Sequence, residues 1–247
     1  MRALAGGRRN MTDTATTNED SGKHLPYYHI LDGLRRADQC PLCALESEGL
    51  HRYMDSFLWE GVNDPGIRAG LILSKGYCAR HAELLLSFRN GLGTAILYQD
   101  QVRLFLRLLD GLANASVRGA SREVVRYAHH AECPLCLYQR ESRQHNILSM
   151  VEGLGHEEMR DAFQASPGLC VPHFLHAVQA TQSEATLRFL VETQLQKSRE
   201  LLEELETFCR KHDHRYIHEG FGKEADSWVR AARMIAGRDD SPAARRK

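Results

Sequence analysis

The chain has 247 residues, and its 32 Lys and Arg balance 32 Asp and Glu. Such a charge gives no reason to expect a broad surface for nucleic acid or an acidic membrane. Hydrophobic residues make up 43% and charged residues 26%, the proportions of a globular protein able to bury a real core as one large domain or two ordinary ones.

No stretch approaches the ~20 apolar residues that cross a bilayer, and the N-terminus lacks the charged-then-apolar plan of a signal peptide. The expectation is a cytoplasmic protein, where regularly spaced cysteines serve as metal ligands more often than as disulfides. Residues 1–23 are small, polar and aperiodic, which predicts a disordered tail.

From there the chain repeats itself. Cys40-Pro41-Leu42-Cys43 recurs ninety-three positions later as Cys133-Pro134-Leu135-Cys136, and Gly76-Tyr77-Cys78-Ala79-Arg80-His81 recurs ninety-two positions later as Gly168-Leu169-Cys170-Val171-Pro172-His173. Glu60 and Arg68 match Glu152 and Arg160 in the same register. Two copies of one module are expected.

Between the motifs the apolar period is helical. Leu42, Leu45, Tyr53, Met54, Phe57, Leu58 and Val62 recur at three- and four-residue steps. Asn63-Asp64-Pro65 reads as a stop and restart, with Asp64 capping and Pro65 at the first helical position. A short helix through Ile67, Leu71 and Ile72 ends at Lys75-Gly76, the next starts near Cys78, and a longer one after Gly91-Leu92-Gly93 carries Val102, Leu104, Phe105, Leu108 and Leu109. The second copy follows the same plan, and Ser183–Phe208 reads as one long amphipathic helix. No segment has the alternation of a strand. The predicted fold is all-α: two tandem metal-clamped helical-hairpin modules over 24–118 and 119–181, a long helix and C-terminal helical segment over 182–237, and a disordered tail over 238–247.

Cysteines two residues apart can point both sulfurs into one tetrahedral site, and a helix N-terminus favours the thiolate. A Cys-x-x-His pair in a first helical turn puts its donors on one face. With intervening loops of thirty-four and thirty-three residues, the contiguous reading is one Cys3His site from Cys40, Cys43, Cys78 and His81, and another from Cys133, Cys136, Cys170 and His173. Soft donors in closed quartets indicate two structural zinc ions per chain; an iron–sulfur cluster or a thiol redox pair is the alternative. Four donors leave no open position for water, so no catalytic residue is assigned and the expected role is a non-enzymatic platform for a protein or peptide partner.

Other residues read more plainly. His129 and His130 precede Cys133 and are expected to be solvated. Cys209, with His212, His214 and His218, lacks a matching Cys-x-x-Cys and reads as a polar helix end. Glu60/Arg68 and Glu152/Arg160 are expected to form structural ion pairs. Arg215-Tyr216, Glu219, Glu224 and Trp228 mix charge with aromatics as either a binding surface or a docked helix, and an enzyme site using Asp64/Arg68 and Arg215/Glu224 is a third option.

The segments CPLC, ESEGLHRYMDSFLWEGVNDPGIR, GYCARHA, GLGTAILYQD and KHDHRYIHEGFGKEADSWVRAARMIAG together resemble an uncharacterised prokaryotic family, a domain of unknown function. The resemblance spans residues 25–237. It implies a duplicated metal-binding helical protein, with Asn63-Asp64-Pro65, Arg68, Arg215 and Trp228 among family-typical positions. The second copy has Gly155-His156-Glu157 where the first has Asn63-Asp64-Pro65.

Overall fold

A computed structural model describes residues 24–238, so the tails expected at 1–23 and beyond 238 lie outside the described residues. Within them the fold is all-α, eleven helices and no strand. α1 (Leu25–Arg36) begins with Pro26 in its first turn and buries Tyr27, Ile30, Leu31 and Leu34 along one stripe, the i, i+3, i+4, i+7 spacing of a core-facing helix. α2 (Pro41–Ser56) runs on into a single π turn at Phe57–Gly61. That widened turn buries Phe57 and Leu58 and leaves Trp59 85% exposed.

α3 (Pro65–Leu73) starts as read from sequence, with the Asp64 carboxylate accepting from the Ile67 amide at 2.8 Å. It ends at Lys75 (φ 58°) and Gly76 (φ 93°), where the Gly76 amide donates to the Leu71 carbonyl. There follow α4 (Ala79–Ser87), α5 (Gly91–Ala113), α6 (Val117–Ala128), α7 (Pro134–Gly153), α8 (Glu157–Ala165), α9 (Val171–Ala180) and α10 (Glu184–Lys211). Ser183 caps α10 by accepting from the Thr186 amide. Two short 3-10 turns lead to α11 (Ser227–Ala236), which packs on α9 and α10.

The helices do not sort into two contiguous modules. α2 and α7 lie against each other at the centre, running antiparallel: Glu46 meets Arg143, and Tyr53 stacks near Tyr138 with ring centroids 4.5 Å apart. One core joins Tyr27, Ile30 and Leu34 of α1 and Leu42 and Leu45 of α2 to Ile147, Met150, Phe163 and Leu190 from the second half. The other joins Met54, Phe57, Leu71, Leu85 and Leu97 to Cys133 and Leu135 at the start of α7. Each core therefore borrows a segment from the opposite half of the chain.

The expected pairs Glu60/Arg68 and Glu152/Arg160 are replaced by other contacts. The break at 62–64 turns α3 so that Arg68 reaches across to Asp100 on α5 (2.6 and 2.9 Å). Arg160 donates to the Leu154 carbonyl at 2.7 Å, satisfying an orphan acceptor at the end of α7, and its guanidinium lies over Phe189.

Candidate metal centres

All four half-motifs adopt one local structure. Cys40, Cys78, Cys133 and Cys170 each occupy the N-cap of a helix, and Cys43, His81, Cys136 and His173 each sit three residues on, at the third position of the first turn. The two donors of every pair thus flank the positive end of a helix, where backbone amides favour an anionic sulfur. The glycine of Gly-x-Cys-x-x-His has a physical reason as well. Gly76 (φ 93°) and Gly168 (φ 84°) lie in the left-handed region that a side chain resists. A Cβ at Gly168 would also stand 2.8 Å from Lys197 Cδ and 3.0 Å from Gln194 Oε1.

The quartets cross between the halves. Cys40 and Cys43 meet Cys170 and His173, while Cys78 and His81 meet Cys133 and Cys136, and within each group the donor atoms lie within 4.8 Å of one another. This corrects the contiguous grouping. The reason is helix length. From Pro41 to Gly61 the chain travels about 30 Å, and the nine residues of α3 can return only about 14 Å. Cys78 is left alongside the later part of α2, where the N-terminus of antiparallel α7 arrives. The start of α2 instead meets α9.

The spacings suit a single ion. Cys43 Sγ and Cys170 Sγ are 3.7 Å apart, and His173 Nδ1 stands 3.4, 3.4 and 3.1 Å from the sulfurs of Cys40, Cys43 and Cys170. In the second centre Cys78 Sγ and Cys136 Sγ are 3.7 Å apart, with His81 Nδ1 at 3.4–3.5 Å from Cys78, Cys133 and Cys136. A tetrahedral ion with metal–sulfur bonds near 2.3 Å has sulfur–sulfur edges of about 3.7–3.8 Å. A disulfide needs ~2.05 Å, and the cysteines are free.

Electrostatics agrees with the geometry. Burial and the neighbouring Cys133 and Cys78 push the Cys136 thiol up to about 12; a cation among the sulfurs would offset that cost and favour the thiolate. At His173 burial works against the charged ring, but hydrogen bonds to Cys170, Cys40, Cys43 and Glu46 outweigh it and raise its pKa. A bound cation would take the place of that proton.

Behind His173 stands a residue that sequence reading missed. Glu46, only 5% exposed, accepts from His173 Nε2 at 2.6 Å and from both Arg143 Nε and Nη2 at 2.8 Å. Burial alone would raise this carboxyl, yet the bonds from Arg143 and His173 hold it down at about 2. The signal was available: Glu46 lies three residues after Cys43, a charge on the face that carries Leu42, Cys43 and Leu45. Gln139 occupies the same place after Cys136. It donates to Glu46 Oε2 at 3.4 Å and accepts from Arg80, whose Nη2 is 3.0 Å from His81 Nε2. A polar chain thus runs from one centre to the other across the α2–α7 crossing.

The C-terminal residues close over the first centre. The Arg238 amide donates to Cys43 Sγ at 3.4 Å, and Gly237 lies against Cys43 and Cys170.

A carboxylate behind a ligating histidine orients the ring and strengthens it as a donor. Replacing Glu46 with Ala is expected to weaken metal binding at the first centre by about 10–100-fold and to cost about 1–3 kcal/mol by leaving Arg143 and His173 short of an acceptor. Competition with a chromophoric chelator measures the first effect and denaturant unfolding the second.

The remaining singled-out residues take no part in either quartet. His129 and His130 are exposed. Cys209 is exposed near the end of α10, and His212 contacts the Phe208 carbonyl and stacks with Phe208 and Phe221. Cys209→Ser is expected to leave metal content and melting temperature unchanged. Asp64 caps α3, Arg215 binds Asp213, and Glu224 takes Lys211 at 2.6 Å. Trp228 is half-exposed at the start of α11. No described contact joins the Asp64/Arg68 pair to the Arg215/Glu224 group.

The fold and site define a helical protein with two Cys/His clusters that could each hold a metal ion. No helix among the described residues is long and apolar enough to cross a membrane. The chain belongs to the family of unknown function DUF6062, whose model matches residues 23–242. It is similar to an uncharacterized 23.9 kDa protein encoded in the xynA 3' region of Caldicellulosiruptor sp. (strain Rt8B.4), with 27% identity over 206 residues covering 82% of this chain and 97% of the relative. No solved structure matches it.

Proposed function

We propose that the protein is a zinc-stapled helical scaffold, with Cys40, Cys43, Cys170 and His173 holding one ion and Cys78, His81, Cys133 and Cys136 the other. The observation that carries this reading is the donor geometry: three sulfurs and one imidazole nitrogen per centre, with a 3.7 Å sulfur–sulfur edge in each. Zinc has no redox chemistry of its own and binds such quartets as a closed structural ion. Its role here is to tie the start of α2 to α9 and the start of α4 to α7. The two halves are then one folding unit, a duplicated module whose copies have exchanged their metal half-sites. A reducing compartment suits the free thiols.

With both coordination spheres filled by protein, the centres offer no position for substrate. The scaffold therefore acts through its surfaces, as an interaction module for a protein or peptide. Elemental analysis of protein purified without added metal tests the assignment. Colourless protein with about two zinc ions per chain is expected. A brown anaerobic preparation absorbing near ~400 nm, with iron and acid-labile sulfide, would establish the iron–sulfur alternative instead.

A further inference from the structure

The α5–α6 hairpin stands out from the body of the fold. α6 has no buried residue, and α5 buries only Gly93 and Leu97 of its twenty-three. Its sequence nevertheless looks like a core helix. Val102, Phe105, Leu106 and Leu109 follow i, i+3, i+4, i+7 spacing and are 44–57% exposed; on α6, Val117 is 90% and Val124 50% exposed.

These side chains share one side of the hairpin. α5 turns half-buried Leu104, Leu108 and Leu112 toward α6, and α6 turns half-buried Ala120, Glu123 and Tyr127 toward α5. At 100° per residue, each exposed stripe is displaced from its own helix's inward face by about a quarter turn, in the same rotational sense. The three-residue connection at 114–116 makes the pair antiparallel, and equal displacements then fall on the same side. Monomeric proteins seldom leave a contiguous apolar face of this size uncovered.

We propose that a second copy of this chain covers that face, the two hairpins forming a four-helix bundle about a dyad parallel to the helices. Two points select a second copy. The first is size. The twelve residues of α6 run about 18 Å beside α5, and two helices side by side are about 20 Å across. Its outline is therefore roughly 360 Å², matched by an identical hairpin and on the scale of a weak, reversible contact rather than the ~800 Å² per partner of a standard interface. The second is charge. Asp110 lies at the outer edge of the α5 stripe, four residues before the turn. Arg118 lies at the outer edge of the α6 stripe, two residues after it. Neither has an ion-pair partner among the described residues. The dyad places each α5 over the other copy's α6 at the same level, so Asp110 faces the partner's Arg118. The hairpin supplies both halves of its own charge complement, as an isologous contact requires.

This surface contains none of the eight ligands, so the inference does not rest on the identity of the metal. Sedimentation velocity of the full-length, metal-loaded protein tests it, with metal content and helicity recorded on the same samples. The wild type is expected at twice 28.0 kDa. Leu106→Glu is expected to sediment as a monomer with metal and helicity unchanged. Asp110→Arg is expected to weaken the dimer by about tenfold or more, and combining it with Arg118→Asp to restore it. If Leu106→Glu loses helicity, the charge reversals decide. A wild type that remains monomeric at about 100 µM, or a dimer that survives both Leu106→Glu and Asp110→Arg, overturns the proposal. A monomer that binds acidic vesicles of phosphatidylserine through this face also overturns it, in favour of a membrane surface.

Discussion

Cys43→Ser and Cys170→Ser, on opposite halves of the chain, are expected to have the same consequence: loss of one ion, the same one. An ion present at a thousand times its dissociation constant contributes about 4 kcal/mol to folding, and each substitution should lower stability by roughly that amount in denaturant unfolding. The effects should not add. Once Cys43 is gone its centre is lost, so the double variant falls little further than either single one, the signature of residues that act as a unit. Combining Cys43→Ser with Cys136→Ser should lose both ions and approach additivity. A contiguous grouping gives the opposite pattern: Cys43 would then be non-additive with Cys78, and additive with Cys170.

The second large effect concerns the covalent link between the halves. A protease site placed in the 114–116 turn between α5 and α6 should be cut without the fragments separating. Two quartets, each with donors from both fragments, and two cores that interleave them should hold the nicked protein together on a sizing column. A chelator should then release the ions and let the fragments part. Each fragment alone keeps a Cys-x-x-Cys and a Cys-x-x-His but lacks the geometry to close them on one ion. Fragments that stay together after both ions have been removed would show that the cores suffice and that the ions are incidental to assembly.

Much of this architecture is visible in the sequence. The Asp64 cap with Pro65, the stop at Lys75-Gly76 and the Ser183 start of α10 follow from local rules, because a cap or a left-handed glycine is decided by a few neighbouring residues. Eight donors could be picked out by spacing alone. Their partnership could not, because Cys-x-x-Cys and Cys-x-x-His carry no record of which distant half-site they meet. Helix lengths contain that information: α2 with its π turn is too long, and α3 too short, for Cys78 to return to Cys43. The expected ion pairs failed for a related reason. A repeated spacing such as Glu60/Arg68 says that two positions are equivalent between copies, while the break at 62–64 decides what Arg68 can reach. Glu46 needed one further step, asking why a carboxylate shares a helix face with Leu42, Cys43 and Leu45. The exposed stripe on α5 and α6 marks the opposite failure, since apolar periodicity there reads as core and the structure leaves it at the surface.

The most direct test of the crossed quartets is the metal content of the Cys43→Ser/Cys170→Ser double variant, measured by elemental analysis beside the wild type. Two ions per chain in the wild type and one in the variant are the expected values. A variant that retains none would return each cysteine to a quartet within its own half of the chain.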